Sequence, residues 1–196
     1  MNFLAHIYLS FDHEDLMIGN FIGDFVKGNQ FEEYEFEMMK GIMLHRAIDE
    51  YTDIHAIVQE SKQRLRAKYR HYSGVIVDVY YDHFLAANWA DYHSTPLEKF
   101  TMQTYKTIMN HLSQLPHGAQ YMLPYMINNN WLLNYGKLEG INRALTGMSR
   151  RTKFHSKMEE AIGDLREHYN EFESEFRAFF DELILFSKDW IARELP

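Results

Sequence analysis

Along most of the chain apolar residues recur at alternating steps of three and four, the spacing that lines up one face of an α-helix, and runs that alternate every second residue are few. The C-terminal third shows this best. Met158, Ile162, Leu165, Tyr169, Phe172, Phe176, Phe179, Leu183, Phe186 and Trp190 make one continuous apolar stripe, which predicts a single long amphipathic helix packed on a core or on a partner. Upstream, the spacing predicts helices over 12–27, 35–52, 54–71, 73–92, 96–115, 119–134 and 137–147. Gly28-Asn29, Ser94-Thr95-Pro96 and Leu115-Pro116-His117-Gly118 are the predicted breaks. The expected architecture is an all-α bundle, one domain over 1–196, ending in the long helix.

A length of 196 residues with 46% apolar content suits one domain with its own core. The chain has no cysteine, so disulfides, thiolate ligands and cysteine nucleophiles are all excluded, and a reducing, cytoplasmic setting is expected. No run of 18 apolar residues occurs and the opening Met1-Asn-Phe-Leu-Ala-His6 does not read as a signal peptide, so no membrane partner is expected. The net charge of -8 argues against nucleic acid. Gly-x-Gly-x-x-Gly, Walker-type loops, Gly-x-Ser-x-Gly and paired Glu-x-x-His motifs are missing, which argues against nucleotide-binding α/β folds, serine hydrolases and ferritin-like di-iron bundles.

What chemistry the chain carries lies in pairs four residues apart. His45 and Asp49 share a predicted helix face, as do Asp78 and Asp82 in a stretch otherwise made of Val75, Ile76, Val77, Val79, Tyr80 and Tyr81. Two carboxylates in so apolar a helix need compensation, and a cation would provide it. Asn20 and Asp24 form a third pair between Gly19 and Gly23, whose small size lets a backbone or substrate approach. With His6 these make a nitrogen-and-oxygen ligand set, His6, Asp24, His45, Asp49, Asp78 and Asp82, suited to Mn²⁺, Mg²⁺, Fe²⁺ or Zn²⁺. Blander readings stay open: a solvated His45/Asp49 hydrogen bond, an Asp78/Asp82 pair split between an arginine and solvent, and a core or capping role for His6.

The blocks Met1-Asn-Phe-Leu-Ala-His6, Gly19-Asn-Phe-Ile-Gly-Asp-Phe-Val-Lys-Gly28, Gly41-Ile-Met-Leu-His-Arg-Ala-Ile-Asp49 with Thr52-Asp53, Val77-Asp-Val-Tyr-Tyr-Asp-His-Phe-Leu85 and Gly147-Met-Ser-Arg-Arg151 resemble the acyl carrier protein phosphodiesterase family in order and spacing over nearly the whole chain. The resemblance implies a divergent HD-type phosphohydrolase fold and a divalent ion, Mn²⁺ first, with Mg²⁺ or Fe²⁺ as alternatives. It also implies release of 4′-phosphopantetheine from the serine of holo-acyl carrier protein to give the apo form. The adjacent His-Asp dyad of the wider HD class is absent and only the reversed Asp82-His83 is contiguous, so ligands are assigned from local spacing within the blocks: Asp24, His45, Asp49, Asp78 and Asp82. For such a reaction His83 or His6 is the candidate acid for the serine oxygen, and Lys27, Arg46 or Arg150 the candidate partner of the phosphate charge.

Two basic stretches stand out against the acidic total. Lys62, Arg64, Arg66, Lys68 and Arg70 come at every second position, and Arg143, Arg150, Arg151, Lys153 and Lys157 form the other. Carrier proteins of this kind are typically acidic, so Arg64, Arg66, Lys68, Arg70 and Arg151 are expected to contact holo-carrier, an ordinary solvated face being the alternative. Two further functions fit the same residues: an HD-like phosphohydrolase of a nucleotide or other small phosphodiester, and a non-catalytic metal-binding bundle whose long helix assembles a homodimer.

Overall fold

The computed structural model describes residues 1–195, and the chain is all-α, with no strand among them. In order, the helices are α1 (Phe3–Tyr8), α2 (Glu14–Ile22), α3 (Phe36–Ile54), α4 (Ala56–Tyr69), α5 (Ser73–Ala87), α6 (Trp89–Tyr92), α7 (Leu97–Asn110), α8 (His117–Asn128), α9 (Trp131–Asn134), α10 (Leu138–Ser149), α11 (Ala161–Glu167) and α12 (Tyr169–Glu194). Helices α3, α4, α7 and α10 match the pattern-based prediction to within a few residues, except that α7 ends at Asn110. Pro96 and Pro116 stand immediately before α7 and α8, where a missing N–H costs nothing.

Four differences come from single backbone positions. Predicted helix 12–27 stops at Ile22 because Gly23–Phe25 tightens into a 3₁₀ turn and Val26 turns extended. Helix 73–92 is broken at Asn88, and helix 119–134 at Asn130, which is left-handed with φ 42°. The C-terminal stripe is not one helix: a 3₁₀ turn at Met158–Glu160 leads into α11, and His168, with φ −117°, separates α11 from α12. The six-residue α1 was not predicted at all, being too short to show a period.

Helices α2 and α3 pass at backbone contact. A Cβ on Gly19 would lie 2.0 Å from the Met38 carbonyl oxygen, and one on Gly41 would lie 2.1 Å from that of Leu16. Only glycine permits this crossing. Helix α12 lies across α3, α4 and α5 and buries Phe172, Phe176, Phe179, Phe180 and Leu183. Its rings meet Tyr80, Tyr81 and Phe84 of α5 at centroid separations of 5.1, 5.7 and 5.9 Å. The apolar stripe that a homodimer would have used is thus largely consumed within the chain. Each fully buried aromatic of this kind contributes ~1.5–3 kcal/mol of transfer free energy, which fixes α5 as the central element.

Candidate functional site

Three helices and one turn converge where α1 meets the α2/α3 crossing. Each face is set by sequence: His6 follows the core residues Leu4 and Ala5 in α1, and His45 and Asp49 lie one turn apart on α3. The His6 and His45 rings stack with centroids 3.9 Å apart and planes 17° from parallel. His6 Nε2 is 3.2 Å from Asp49 Oδ1, His45 Nε2 is 3.2 Å from Asp49 Oδ2, and His45 Nε2 is 3.3 Å from Asp24 Oδ1. Ligand atoms of His6, His45 and Asp49 all lie within 4.8 Å of one another.

Asn20, fully buried on α2, fixes both imidazoles. Its Nδ2 donates to His6 O at 2.8 Å and to Ser10 Oγ at 3.0 Å, so its Oδ1 is an acceptor and His6 Nδ1–H donates to it at 2.8 Å. His45 Nδ1–H donates to the Asn20 backbone carbonyl at 2.9 Å. With both Nδ1 atoms protonated, both neutral rings present a bare Nε2 lone pair toward the carboxylates. His6 Nε2 is buried and has no hydrogen-bond partner of acceptable geometry. Gly23 leaves room for this: a Cβ there would lie 2.2 Å from the His45 ring.

Lone pairs facing carboxylates are satisfied either by a proton or by a cation. Burial and the neighbouring His45 push His6 down to about 4. Burial pulls His45 down as well, but its hydrogen bonds to Asp24 and Asp49 outweigh this and lift it to about 9. Burial raises Asp49, yet the imidazoles of His45 and His6 and the Met1 ammonium beside it outweigh this and hold the carboxyl far below the usual range; Asp24 is lowered, first by its His45 bond. Donors about 2.1 Å from a shared divalent ion lie roughly 3 Å apart, close to the 3.2 Å between each Nε2 and an Asp49 oxygen, and each imidazole already has the Nδ1–H partner that a metal-ligating histidine uses. These residues fit a divalent cation.

The other expected ligands are placed differently. Asp78 Oδ1 is 3.0 Å from the Met1 amino nitrogen, which also lies 3.5 Å from Asp49 Oδ1. Burial pulls that ammonium down, but Asp78 and Asp49 outweigh it and carry it up to about 10. Asp82 is fully buried and accepts from the backbone N–H groups of Asn2 at 3.2 Å, Leu4 at 2.7 Å and Ala5 at 3.3 Å. It serves the free N–H groups at the start of α1 and stands outside the histidine cluster. Its burial pushes the carboxyl up to about 7.

His83 faces elsewhere: buried, it donates from Nδ1 to Tyr135 O at 2.7 Å and meets Tyr169 Oη through Nε2 at 3.0 Å, and burial lowers its pKa. Arg46 donates to Val26 O and Gly28 O at 3.0 and 2.8 Å and covers the Phe31 ring, so it ties down the turn after α2. Lys27 and Arg150 are exposed and line neither cavity at the cluster. In the first basic stretch Lys62 pairs with Asp53 at 2.7 Å, Arg64 with Glu175 at 2.7 Å, and Lys68 with Asp164 at 3.0 Å. Among the described residues, Arg66 and Arg70 are the members of that stretch without an ion pair, so three of its five cations are already partnered within the chain.

Two cavities meet at the cluster and share Asn2, Asp24 and Met148. The smaller, about 250 Å³, is walled by Asp24, Asp49, Asp53 and Asp78. The larger, about 450 Å³, lies between α8 and α10 and is lined by Asp24, Phe25, Tyr121, Trp131, Tyr135, Arg143 and Arg151. Arg143 was legible in the sequence only as part of a basic run, and the aromatic wall carried no signal beyond ordinary core spacing.

Fold and site together define an all-helical protein with a candidate metal cluster of two buried histidines and a partly exposed aspartate, opening onto a cavity. A family model described as acyl carrier protein phosphodiesterase matches residues 1–183, and the chain belongs to that family. Relatives named acyl carrier protein phosphodiesterase include one from Photorhabdus laumondii, 33% identical over 92% of this chain and 91% of the relative. Another, from Yersinia enterocolitica, is 33% identical over 96% and 98%, and one from Klebsiella pneumoniae is 32% identical over 94% and 96%. No solved structure matches the chain. Among the described residues no helix is long and apolar enough to cross a membrane.

Proposed function

We propose that this chain, acting as one domain, is a divalent-metal-dependent phosphodiesterase that hydrolyses the bond between 4′-phosphopantetheine and the serine of holo-acyl carrier protein. The observation that carries the metal reading is that His6 and His45 both aim Nε2 at carboxylates, each ring with its Nδ1–H already spent on Asn20. His6, His45 and Asp49 would hold the ion, with Asp24 beside them; Mn²⁺ is the first candidate and Mg²⁺ or Fe²⁺ the next. The bound ion would lower the pKa of water and draw charge from a phosphoryl oxygen.

The protein's own groups account for the rest. Asp24 is 67% exposed at the junction of the two cavities and is placed to take the proton of the attacking water. Water oxygen joins phosphorus, the phosphorus–serine oxygen bond breaks, and the serine oxygen leaves with one proton. Phosphopantetheine departs as a monoester and the carrier is left in its apo form. Arg143 and Arg151 in the cavity wall offset the anionic charge of the phosphopantetheine. A carrier-protein substrate places the reaction in the cytoplasm.

The test is intact mass spectrometry of purified holo-acyl carrier protein incubated with metal-stripped enzyme, with and without Mn²⁺, beside Asp49→Ala checked for folding by circular dichroism. Mn²⁺-dependent loss of the whole phosphopantetheine mass, absent with Asp49→Ala, is the expected result. An unchanged carrier mass with folded, metal-loaded enzyme would overturn the proposal and turn attention to other phosphodiesters.

A further inference from the structure

The two basic stretches differ in what the fold does with them. Between residues 137 and 157 there are six lysines or arginines and one acid, Glu139, in a chain whose net charge is -8. Among the described residues Arg143, Arg150, Arg151, Lys153 and Lys157 are exposed and none is in an ion pair, whereas the α4 stretch is mostly neutralised by Asp53, Glu175 and Asp164. Of the next acids along the chain, Glu160 pairs with Lys68, while Glu159 accepts from Ser149 and leaves one negative charge at the edge of this face. This end of the molecule therefore keeps a positive excess.

This face also borders the larger cavity, because Arg143 and Arg151 belong to both. Across the cavity stands a wall of opposite character: residues 115–136 contain no Asp, Glu, Lys or Arg, and Tyr121 and Tyr125 of α8 are 73% and 52% exposed. Between the walls, Asn2, Asn129 and Asn134 supply amide groups. A volume of about 450 Å³ lies within the range of pockets that enclose a small organic ligand, roughly 300–1,000 Å³. Apolar rings, amides and a cationic edge suit an extended amide-containing arm joined to its carrier through an anionic phosphodiester, and that carrier-bound anionic end would lie by Asp24 and Asn2, beside the cluster.

Resting on the phosphodiesterase reading, we infer that the basic face formed by the end of α10 and residues 150–157, and not α4, is the docking surface for an acidic carrier protein, whose arm lies in the adjoining cavity between α8 and α10. Exposed cations without partners steer an acidic protein and set its register, while cations already paired within the chain contribute little to either.

Steady-state hydrolysis of holo-carrier by the metal-loaded, full-length enzyme tests this, with Lys153→Glu/Lys157→Glu compared with Arg66→Glu/Arg70→Glu and with the parent. The first pair is expected to raise KM at least ten-fold, to leave kcat within two-fold, and to flatten the salt dependence of kcat/KM; the second is expected to change none of these. Unaltered KM in the first pair, or an equal rise in the second, overturns the docking surface. If the parent itself releases no phosphopantetheine, the phosphodiesterase reading has failed instead. Thermal melts of both variants report folding, and apo-carrier as competitor gives an independent readout: it should inhibit the parent and spare Lys153→Glu/Lys157→Glu.

Discussion

Replacing Asn20 with alanine tests the frame that aims both histidines, because the side chain is fully buried and each of its polar atoms is in use. Without Oδ1, the His6 Nδ1–H loses its acceptor in a site closed to water, at a cost of ~1–3 kcal/mol. The two bonds from Nδ2 go to groups that keep another partner, since Ser10 Oγ still donates to His6 O at 3.0 Å, so their loss adds only ~0.5–1.5 kcal/mol each. The sum, ~2–6 kcal/mol, is a large share of a typical ~5–15 kcal/mol total. With a urea m-value of ~2–3 kcal/mol/M, the midpoint falls by ~0.7–3 M. The His45 partner is a backbone carbonyl and survives the substitution, so the ion site is weakened without being abolished. Loss of an outer partner typically lowers metal affinity ~10–100-fold. Urea unfolding in chelator measures the first effect and a Mn²⁺ competition titration the second. A midpoint within ~0.3 M of the parent, together with unaltered Mn²⁺ affinity, would refute the assignment of Asn20 as the frame.

Three other outcomes are expected. His45, lifted to about 9, carries a proton at pH 7 in metal-free protein, so ion binding must expel about one proton. Calorimetry in buffers of different ionisation enthalpy reads this directly, and a buffer-independent heat would show that no such proton exists. Gly41→Ala places a Cβ 2.1 Å from the Leu16 carbonyl oxygen and forces α2 from α3, for ~3 kcal/mol or a Tm lower by ~6–12 °C; an unmoved Tm contradicts the crossing. His83 is buried neutral with its pKa below the usual 6.5, so under that pH the unfolded chain binds a proton the folded chain does not, and stability falls as pH falls. The stability difference between parent and His83→Gln should therefore shrink from pH 7.5 to 5.5, and a gap that stays constant or widens argues against it.

The helical architecture was readable because a three-and-four spacing sustained over several turns leaves few alternatives, and α3, α4 and α10 appear close to where the spacing put them. What the pattern could not show is where the backbone departs from a helix at one ordinary residue. Asn130 adopts φ 42° with no glycine to announce it, and His168 interrupts a stripe whose apolar spacing continues unbroken on either side. The site divides along the same line. His45 and Asp49 are local, one turn apart, and visible as a pair; the addition of His6 depends on how α1 docks, which is a tertiary fact. Phe25, Trp131 and Tyr135 read as core until a cavity is found beside them.

Asp82 shows why a sound inference from sequence can name the wrong partner. A carboxylate in an apolar helix needs positive compensation, and that requirement is met, but by three backbone N–H groups at the start of α1. A row of unpaired N–H groups carries partial positive charge much as an ion does, and residue spacing on the acidic helix is the same for both. The two can be told apart only from the other side of the contact. Because Leu4 and Ala5 immediately precede His6, the carboxylate that caps α1 also sets where the His6 ring enters the cluster. Asp82 therefore acts on the site at one remove, by holding the short helix that carries a ligand. Its presence beside the histidines in the family-like blocks follows from that linkage as readily as from metal binding. The basic stretches make the same point with the sign reversed: alternate cations on α4 look like a surface for a partner until Asp53, Glu175 and Asp164 are seen to face them, while the cations after α10 form no ion pair among the described residues.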